Sequence, residues 1–329
     1  MLVQQQREGR ELSINGRCQL IRWAILSGAL SMGSVESPLA DSNHAASYSR
    51  IGVGARAMAM GGAYVAVADD PTATMWNPAR MMRVRGLALT YMRSVGMKFD
   101  RYHEFLGFAK SWRSVAIGFG MQRAGWNGFE SRNGVDGNNG DFGIVDYLLL
   151  PSVAFQFGPV GLGLSSPKIF IQEIDGESES GSGADLGAFL DLGRWVDLGF
   201  AVQDVHSEIG DDELPYNLRA GICVNPLGHL YDPVVSALLA TDLEKTEDDE
   251  TVYHVGAEIG LHLPRGFHWA LRVGISDIGR DHRENRYSIG GGLRVERLYW
   301  LGFDYAYIDE SDASFGASHR LSVNWGRQA

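Results

Sequence analysis

The chain has 329 residues, with 29 Lys and Arg against 40 Asp and Glu, a formal net charge of −11, and 2 cysteines. An acidic chain lacks the basic face that phosphate backbones require, which excludes a nucleic-acid binder. Two cysteines exclude a disulfide scaffold and any zinc site built on several thiolates. There are 42 glycines, nearly double the usual share of about 7%, and 10% of residues are aromatic, a mix that leans towards β structure.

Residues 1–40 read as an export signal. Arg7, Arg10, Arg17 and Arg22 form a basic start, Trp23 to Val35 is a short apolar run, and Ser37-Pro-Leu-Ala40 is a small-residue exit. This order describes a secretory leader, and the run is too short and too rich in Ser and Gly to span a bilayer well. Cleavage is expected near Ala40 or Ala45–Ala46. Cys18 precedes the apolar run, so it is not a lipid-attachment cysteine, and Cys223 remains as the single thiol of the exported chain.

Residues 41–86 do not alternate. Ala57 to Ala68 is rich in small, helix-compatible residues, and Pro71 and Pro78 break the segment into short pieces. Gly52-Val-Gly54 superficially matches a dinucleotide loop, but no strand precedes it and no βαβ unit surrounds it. Small residues let backbones pack closely, so this segment can fill the interior of a larger structure.

From residue 87 onward, period-2 alternation dominates. Tyr299, Leu301, Phe303, Tyr305 and Tyr307 share one strand face, and Gly302, Asp304 and Ala306 the other. Val255 to Leu261, Trp269 to Ile275, Leu321 to Trp325 and Val115 to Met121 repeat the pattern. One face is apolar while the other mixes charge with glycine. That suits a barrel with lipid outside and a polar lumen. Tight turns at 112–114, 158–159, 193–194, 225–228, 264–266 and 296–297 alternate with longer polar links at 125–143, 175–183, 204–214, 244–250, 277–285 and 309–314. Outer-membrane barrels alternate short periplasmic turns with longer outer loops in this way. The fold expected is all-β: a transmembrane antiparallel β-barrel of about 14 strands over 87–329, preceded by a lumenal hatch over 41–86. Trp112, Trp195, Tyr231, Trp269, Tyr299, Trp300 and Trp325 beside the short turns form an expected aromatic girdle. Acidic links such as Asp136 to Asp141 and Glu247 to Glu250 lack calcium-loop spacing and read as solvated.

The chemistry-bearing residues are sparse. No His-Glu-x-x-His, Gly-x-Ser-x-Gly or phosphate-loop motif occurs. Ser318, His319 and Ser322 invite comparison with a hydrolase triad, but the reading adopted is a chain without catalytic residues, cofactor or metal. His254, Glu258 and His262 share a strand face, yet the outer two lie about 27 Å apart along an extended strand and cannot share an ion. With Arg272, Arg294 and Asp304 they are read as lumen-lining groups. Arg272, Arg294, Glu258, Asp304 and Asp191 are candidates for charge pairs across the interior.

Gly54-Ala-Arg56-Ala-Met-Ala-Met-Gly61-Gly62-Ala63, continuing through Asp69-Asp70 to Trp76-Asn77-Pro78-Ala79, resembles the N-terminal signature of the PorV/PorQ family of FadL-like outer-membrane barrels. The resemblance implies 14 strands, with the N-terminal segment folded into the lumen as a hatch. Gly61, Gly62, Asn77 and Pro78 are expected to set its geometry, with Arg56, Trp76 and Ala79 in the same signature, and Asp69 and Asp70 to cap a short helix or pair with a lumen arginine. It also implies two kinds of function. PorV-like members capture secreted protein cargo for type IX secretion and surface attachment, and this is the first expectation here. FadL-like members pass hydrophobic small molecules passively, which is the alternative. Both place the chain in the cell outer membrane among its lipids.

Overall fold

A computed structural model describes residues 46–97, 101–132, 138–227, 234–247, 249–279, 285–309 and 317–327. The expected leader 1–40, the first residues of the hatch (41–45), Asp136, Tyr231 and residues 310–314 lie outside them. The described residues belong to one compact unit, Asn43–Ala329.

Its wall is made of antiparallel strands: β1 (Leu87–Val95), β2 (Arg101–Ser111), β3 (Val115–Arg132), β4 (Asn138–Phe157), β5 (Val160–Ile174), β6 (Glu177–Asp191), β7 (Val196–Ile209), β8 (Asp212–Leu214), β9 (Asn217–Val224), β10 (Val235–Thr246), β11 (Thr251–Leu263), β12 (Phe267–Ile278), β13 (Arg286–Glu296), β14 (Tyr299–Asp309) and β15 (Ser318–Arg327). Every strand pairs with its sequence neighbours, except that β8 pairs only with β7, and β7 goes on to pair with β9. β1 pairs with β15 from Leu87↔Arg327 to Val95↔His319, which closes the ring. Setting aside the short appendage β8, the closed barrel has 14 strands, as the alternation predicts.

The alternation sorts the two faces as expected. Leu271, Val273, Ile289, Ile259 and Phe303 are exposed on the outside. His254, Gly256, Arg272, Gly274 and Ala306 turn inward. In water those outer side chains would be a liability, so the outer face belongs against lipid hydrocarbon.

Two expectations need correction. The segments read as long polar links are partly strand: β3 and β4 run to 18 and 20 residues. The link 175–183 shrinks to the turn Asp175-Gly176, with φ of 51° and 82°, the two-residue hairpin geometry that matches strand twist. Polarity there marks where the strands enter water, not where their pairing stops. Trp300 is not part of the girdle. It is 8% exposed and faces inward, because Tyr299 and Trp300 are adjacent and only one of them can point outward.

Residues 46–86 fill the lumen. They form a 3-10 turn (Ser47–Arg50), a helix (Ala55–Ala59), a second short helix (Ala73–Trp76) and a 3-10 turn (Pro78–Arg83). Val53, Met60, Tyr64, Ala66, Ala73 and Met81 join wall residues such as Ala88, Phe105, Leu148 and Phe189 in one apolar core. Helices of 4 or 5 residues are unstable alone; here the wall holds them.

Candidate functional site

The site is the plugged lumen, and the plug meets the wall in two chemically different ways. On the side of β11 to β15 the contact is ionic. Arg56, on the helix Ala55–Ala59, donates from Nε and Nη2 to the two oxygens of Glu258 on β11 (2.8 and 3.0 Å) and from Nη1 to Asp69 (2.5 Å). Arg272 on β12 donates to the same Glu258 (2.5 Å) and to Asp304 on β14 (2.6 Å), and Asn324 on β15 donates to Asp304 (2.7 Å). Two cations and two wall carboxylates thus alternate, which offsets the cost of holding each charge away from bulk water.

Beside this network the two backbones touch. Gly256 and Gly274 face each other across β11 and β12. A Cβ on Gly274 would lie 2.0 Å from the Gly61 nitrogen, and one on Gly256 2.5 Å from the Met60 carbonyl oxygen. Gly61 in turn sits at φ +65°, where a Cβ would meet the Ile275 backbone at 2.7 Å, so a side chain is excluded on both partners. Gly62 packs against His254 and Trp76. His254 places Nδ1 3.0 Å from the Gly61 carbonyl and Nε2 3.0 Å from Glu244.

On the side of β5 to β7 the contact is first one of shape, with two ion pairs beside it. Asn77 is fully buried. Its side chain donates to the carbonyls of Val65 (2.9 Å) and of Ala188 on β6 (3.0 Å), and accepts from the Ala79 N–H (3.2 Å). Pro78 and Ala79 sit in a notch of inward glycines: a Cβ on Gly163 would come within 2.2 Å of Ala79, and one on Gly187 within 2.2 Å of Asn77. Arg80 donates to the carbonyls of Ala68 and Val67 and lies 3.4 Å from Asp197. Arg83 pairs with Asp191.

The remaining signature residues lie within the plug. Trp76 donates to the Val53 carbonyl (3.0 Å), packs edge-on to Tyr64 and lies under Arg219. Asp69 pairs with Arg56, an arginine of the plug and not of the wall. Asp70 accepts from the Thr72 N–H (2.8 Å) and the Tyr64 hydroxyl (2.8 Å), closing the turn that opens the helix Ala73–Trp76. Burial, and then the neighbouring Asp69, push the Asp70 carboxyl above the usual carboxylate range.

Not every lumen residue joins the plug. His262 lies near the short-turn end, with Nδ1 2.6 Å from Nδ1 of His268 and Nε2 3.1 Å from Ser236. Arg294 pairs with Glu296 (3.4 Å) and covers Trp300, and not with Glu258 or Asp304 as expected. A strand two removed from Glu258 offered it a nearer carboxylate. Asp191 pairs with the plug and not across the wall. On β15, Ser318 and Ser322 face inward, and the Ser322 hydroxyl accepts from the Ala55 N–H (2.9 Å). His319 instead faces outward, against Tyr305 and Tyr307. Serine and histidine therefore sit on opposite faces and form no dyad.

Sequence reading missed the residues that satisfy the plug's backbone. Asp242 accepts the N–H groups of Tyr64 and Val65 (2.8 Å each), Ser288 accepts from Gly61 (3.1 Å), Gln203 donates to the Met75 carbonyl (2.6 Å) and Gln122 to the Tyr48 carbonyl (2.6 Å). Irregular backbone shut away from water needs such partners. The only signal in the sequence was an inward parity on strands already assigned.

No protein-family profile matches the sequence, and no curated protein matches it. The architecture is that of known barrels all the same. The toluene transporter TodX of Pseudomonas putida superposes with a TM-score of 0.60 at 10% identity, covering 84% of this chain and 99% of that one. The monoaromatic hydrocarbon channel CymD gives 0.59 at 11% identity, with 85% and 98% covered. The toluene transporter TbuX of Ralstonia pickettii gives 0.57 at 11%, with 84% and 98% covered. A FadL homologue of Pseudomonas aeruginosa gives 0.50 at 12%, with 83% and 97% covered. The chain is thus a closed, plugged β-barrel with the fold of the FadL-type outer-membrane transporters.

Proposed function

We propose that the protein is a passive outer-membrane channel for hydrophobic small molecules, and that residues 46–86 are its hatch. The observation that carries this reading is the closed barrel filled by its own N-terminal segment, in a fold that covers 84–85% of this chain and 98–99% of the hydrocarbon channels named above. A compound enters from the side of the longer links, the hatch shifts, and the compound leaves through the lumen or a gap in the wall. The wall supports the second exit where three neighbouring ladders are irregular. Between β4 and β5 the register breaks at Leu149/Ser152, between β5 and β6 at Ser165/Lys168, and between β6 and β7 around Ala184. Pro151 and Pro167 lie at the first two breaks, and a proline donates no ladder hydrogen bond. In this reading Arg56, Gly61, Gly62, Asp69, Asp70, Trp76, Asn77, Pro78 and Ala79 keep the hatch seated, and His254, Glu258, Arg272 and Asp304 receive it. Residues 1–40 are the leader that directs export. The deciding experiment deletes the gene and measures uptake of a panel of aromatic and aliphatic hydrocarbons; unchanged uptake across the panel sinks the proposal.

A second reading rests on residues 54–79, whose signature resembles PorV/PorQ more than FadL itself. It makes the barrel a docking partner for type IX cargo. Affinity capture of the tagged protein then brings down secretion components or cargo, and their absence removes this reading.

A further inference from the structure

Among the described residues, the turn tips at the two ends of the barrel carry opposite charge. At the short-turn end, the β2–β3, β6–β7, β11–β12 and β13–β14 turns each hold one arginine: Arg113, Arg194, Arg265 and Arg297. All four are exposed, and among the described residues none of their guanidinium groups makes a hydrogen bond or ion pair. The described short turn without one is Gly158-Pro159. At the opposite end, stretches 175–179, 210–213 and 247–250 contain acidic residues and no Lys or Arg, whereas the links that include Lys98, Arg280 and Arg283 lie largely outside the described residues. Beside the arginines stand exposed, outward aromatics: Trp112 at 49%, Trp195 at 50%, Trp269 at 52% and Tyr299 at 45%.

An exposed arginine left without a carboxylate is free to meet another anion, and its planar fork matches phosphate oxygens two at a time. Tryptophan and tyrosine settle where hydrocarbon gives way to headgroups, so the guanidinium groups just beyond them stand at headgroup depth. A protein partner would require cations gathered on one face. These four are spread over turns around the ring, which is how an annulus of lipid meets a barrel. We infer that the short-turn rim is a binding site for the phosphate headgroups of anionic phospholipids in the periplasmic leaflet. This inference rests on the membrane placement proposed above.

The test uses the full exported chain refolded into phosphatidylcholine vesicles, with and without a minor share of phosphatidylglycerol. Two quantities are read: the midpoint temperature at which the fast unboiled gel band disappears, and the phosphatidylglycerol retained on the extracted protein by native mass spectrometry. Phosphatidylglycerol is expected to raise the wild-type midpoint by several degrees. The variant carrying R113Q, R194Q, R265Q and R297Q should lose that rise and retain at least about fivefold less phosphatidylglycerol, the enrichment expected from one surface charge. It should keep its midpoint in pure phosphatidylcholine, since none of the four packs in the core. A control variant with Glu213→Gln and Glu247→Gln at the other end should respond like wild type. Equal responses in wild type and the arginine variant overturn the inference, as does a wild type indifferent to phosphatidylglycerol. Inorganic phosphate reproducing the effect in neutral vesicles overturns the lipid as its source. A chain with no fast band in phosphatidylcholine is not a barrel, and then the membrane placement fails first.

Discussion

The hatch is held differently on its two sides, and the contrast shows where it can give way. Towards β11 to β15 charge joins a close glycine contact: Arg56 reaches a carboxylate that a wall arginine shares, beside Gly61 against Gly274. Towards β5 to β7 it depends on fit: Asn77, Pro78 and Ala79 occupy a notch that exists only because Gly163 and Gly187 lack side chains. Ionic contacts tolerate small displacements and can re-form with water, whereas interlocked backbones fit or do not fit. The Arg56–Glu258 contact is therefore the one expected to release first, while the close backbone contacts at Gly163 and Gly187, and at Gly61 against Gly274, are expected to hold.

Four substitutions break or sharpen this contrast. The largest effect is expected from Gly274→Val, where backbone meets backbone within the ionic side. No flexible atom can yield, so the loss should reach about 3 kcal/mol, the top of the usual over-packing range. It is read as a lower denaturant midpoint in vesicles together with protease cutting within 46–86. Next comes Glu258→Gln, which leaves Arg56 and Arg272 without their shared anion. Removing one partner of a fully buried pair costs about 3–5 kcal/mol. Glu258 is 14% exposed and Arg56 and Arg272 keep Asp69 and Asp304, so a cost below that range, and below that of Gly274→Val, is expected. Here the hatch should loosen while the barrel keeps its gel shift. Hydrocarbon uptake into vesicles should rise. If uptake falls or does not change, the ionic side is not the releasing one.

Asn77→Ala tests the other side. It removes donors to two buried carbonyls, worth about 1–3 kcal/mol, and should lower the midpoint without raising uptake. A rise as large as that of Glu258→Gln would erase the distinction between the sides. The smallest effect belongs to Asp69→Asn. Its side chain is 42% exposed, and exposed pairs contribute about 0–1 kcal/mol. Thermal midpoints should barely move, which separates the exposed arm of the Arg56 network from the buried one.

The sequence by itself determined the barrel. Alternation of Tyr299, Leu301 and Phe303 against Gly302 and Asp304 is a local code, since neighbouring residues of an extended chain must face opposite ways, and each hairpin pairs residues close in sequence. The break in that code before residue 87 marked the plug, and the inward direction of His254, Glu258, Arg272 and Asp304 followed from parity. Parity says which face a side chain takes and nothing of its partner. Arg56 and Glu258 are 202 positions apart, and Asn77 reaches Ala188 across 111. Which of the many inward glycines would lie against the plug, and which carboxylate Arg294 would choose, depended on how closing the ring set the height of each strand. The same holds for where strands ended, because β3 and β4 keep pairing after their side chains have turned polar. Only the tertiary structure decided these matters, because closure joins distant segments and no local spacing records the register at which they meet.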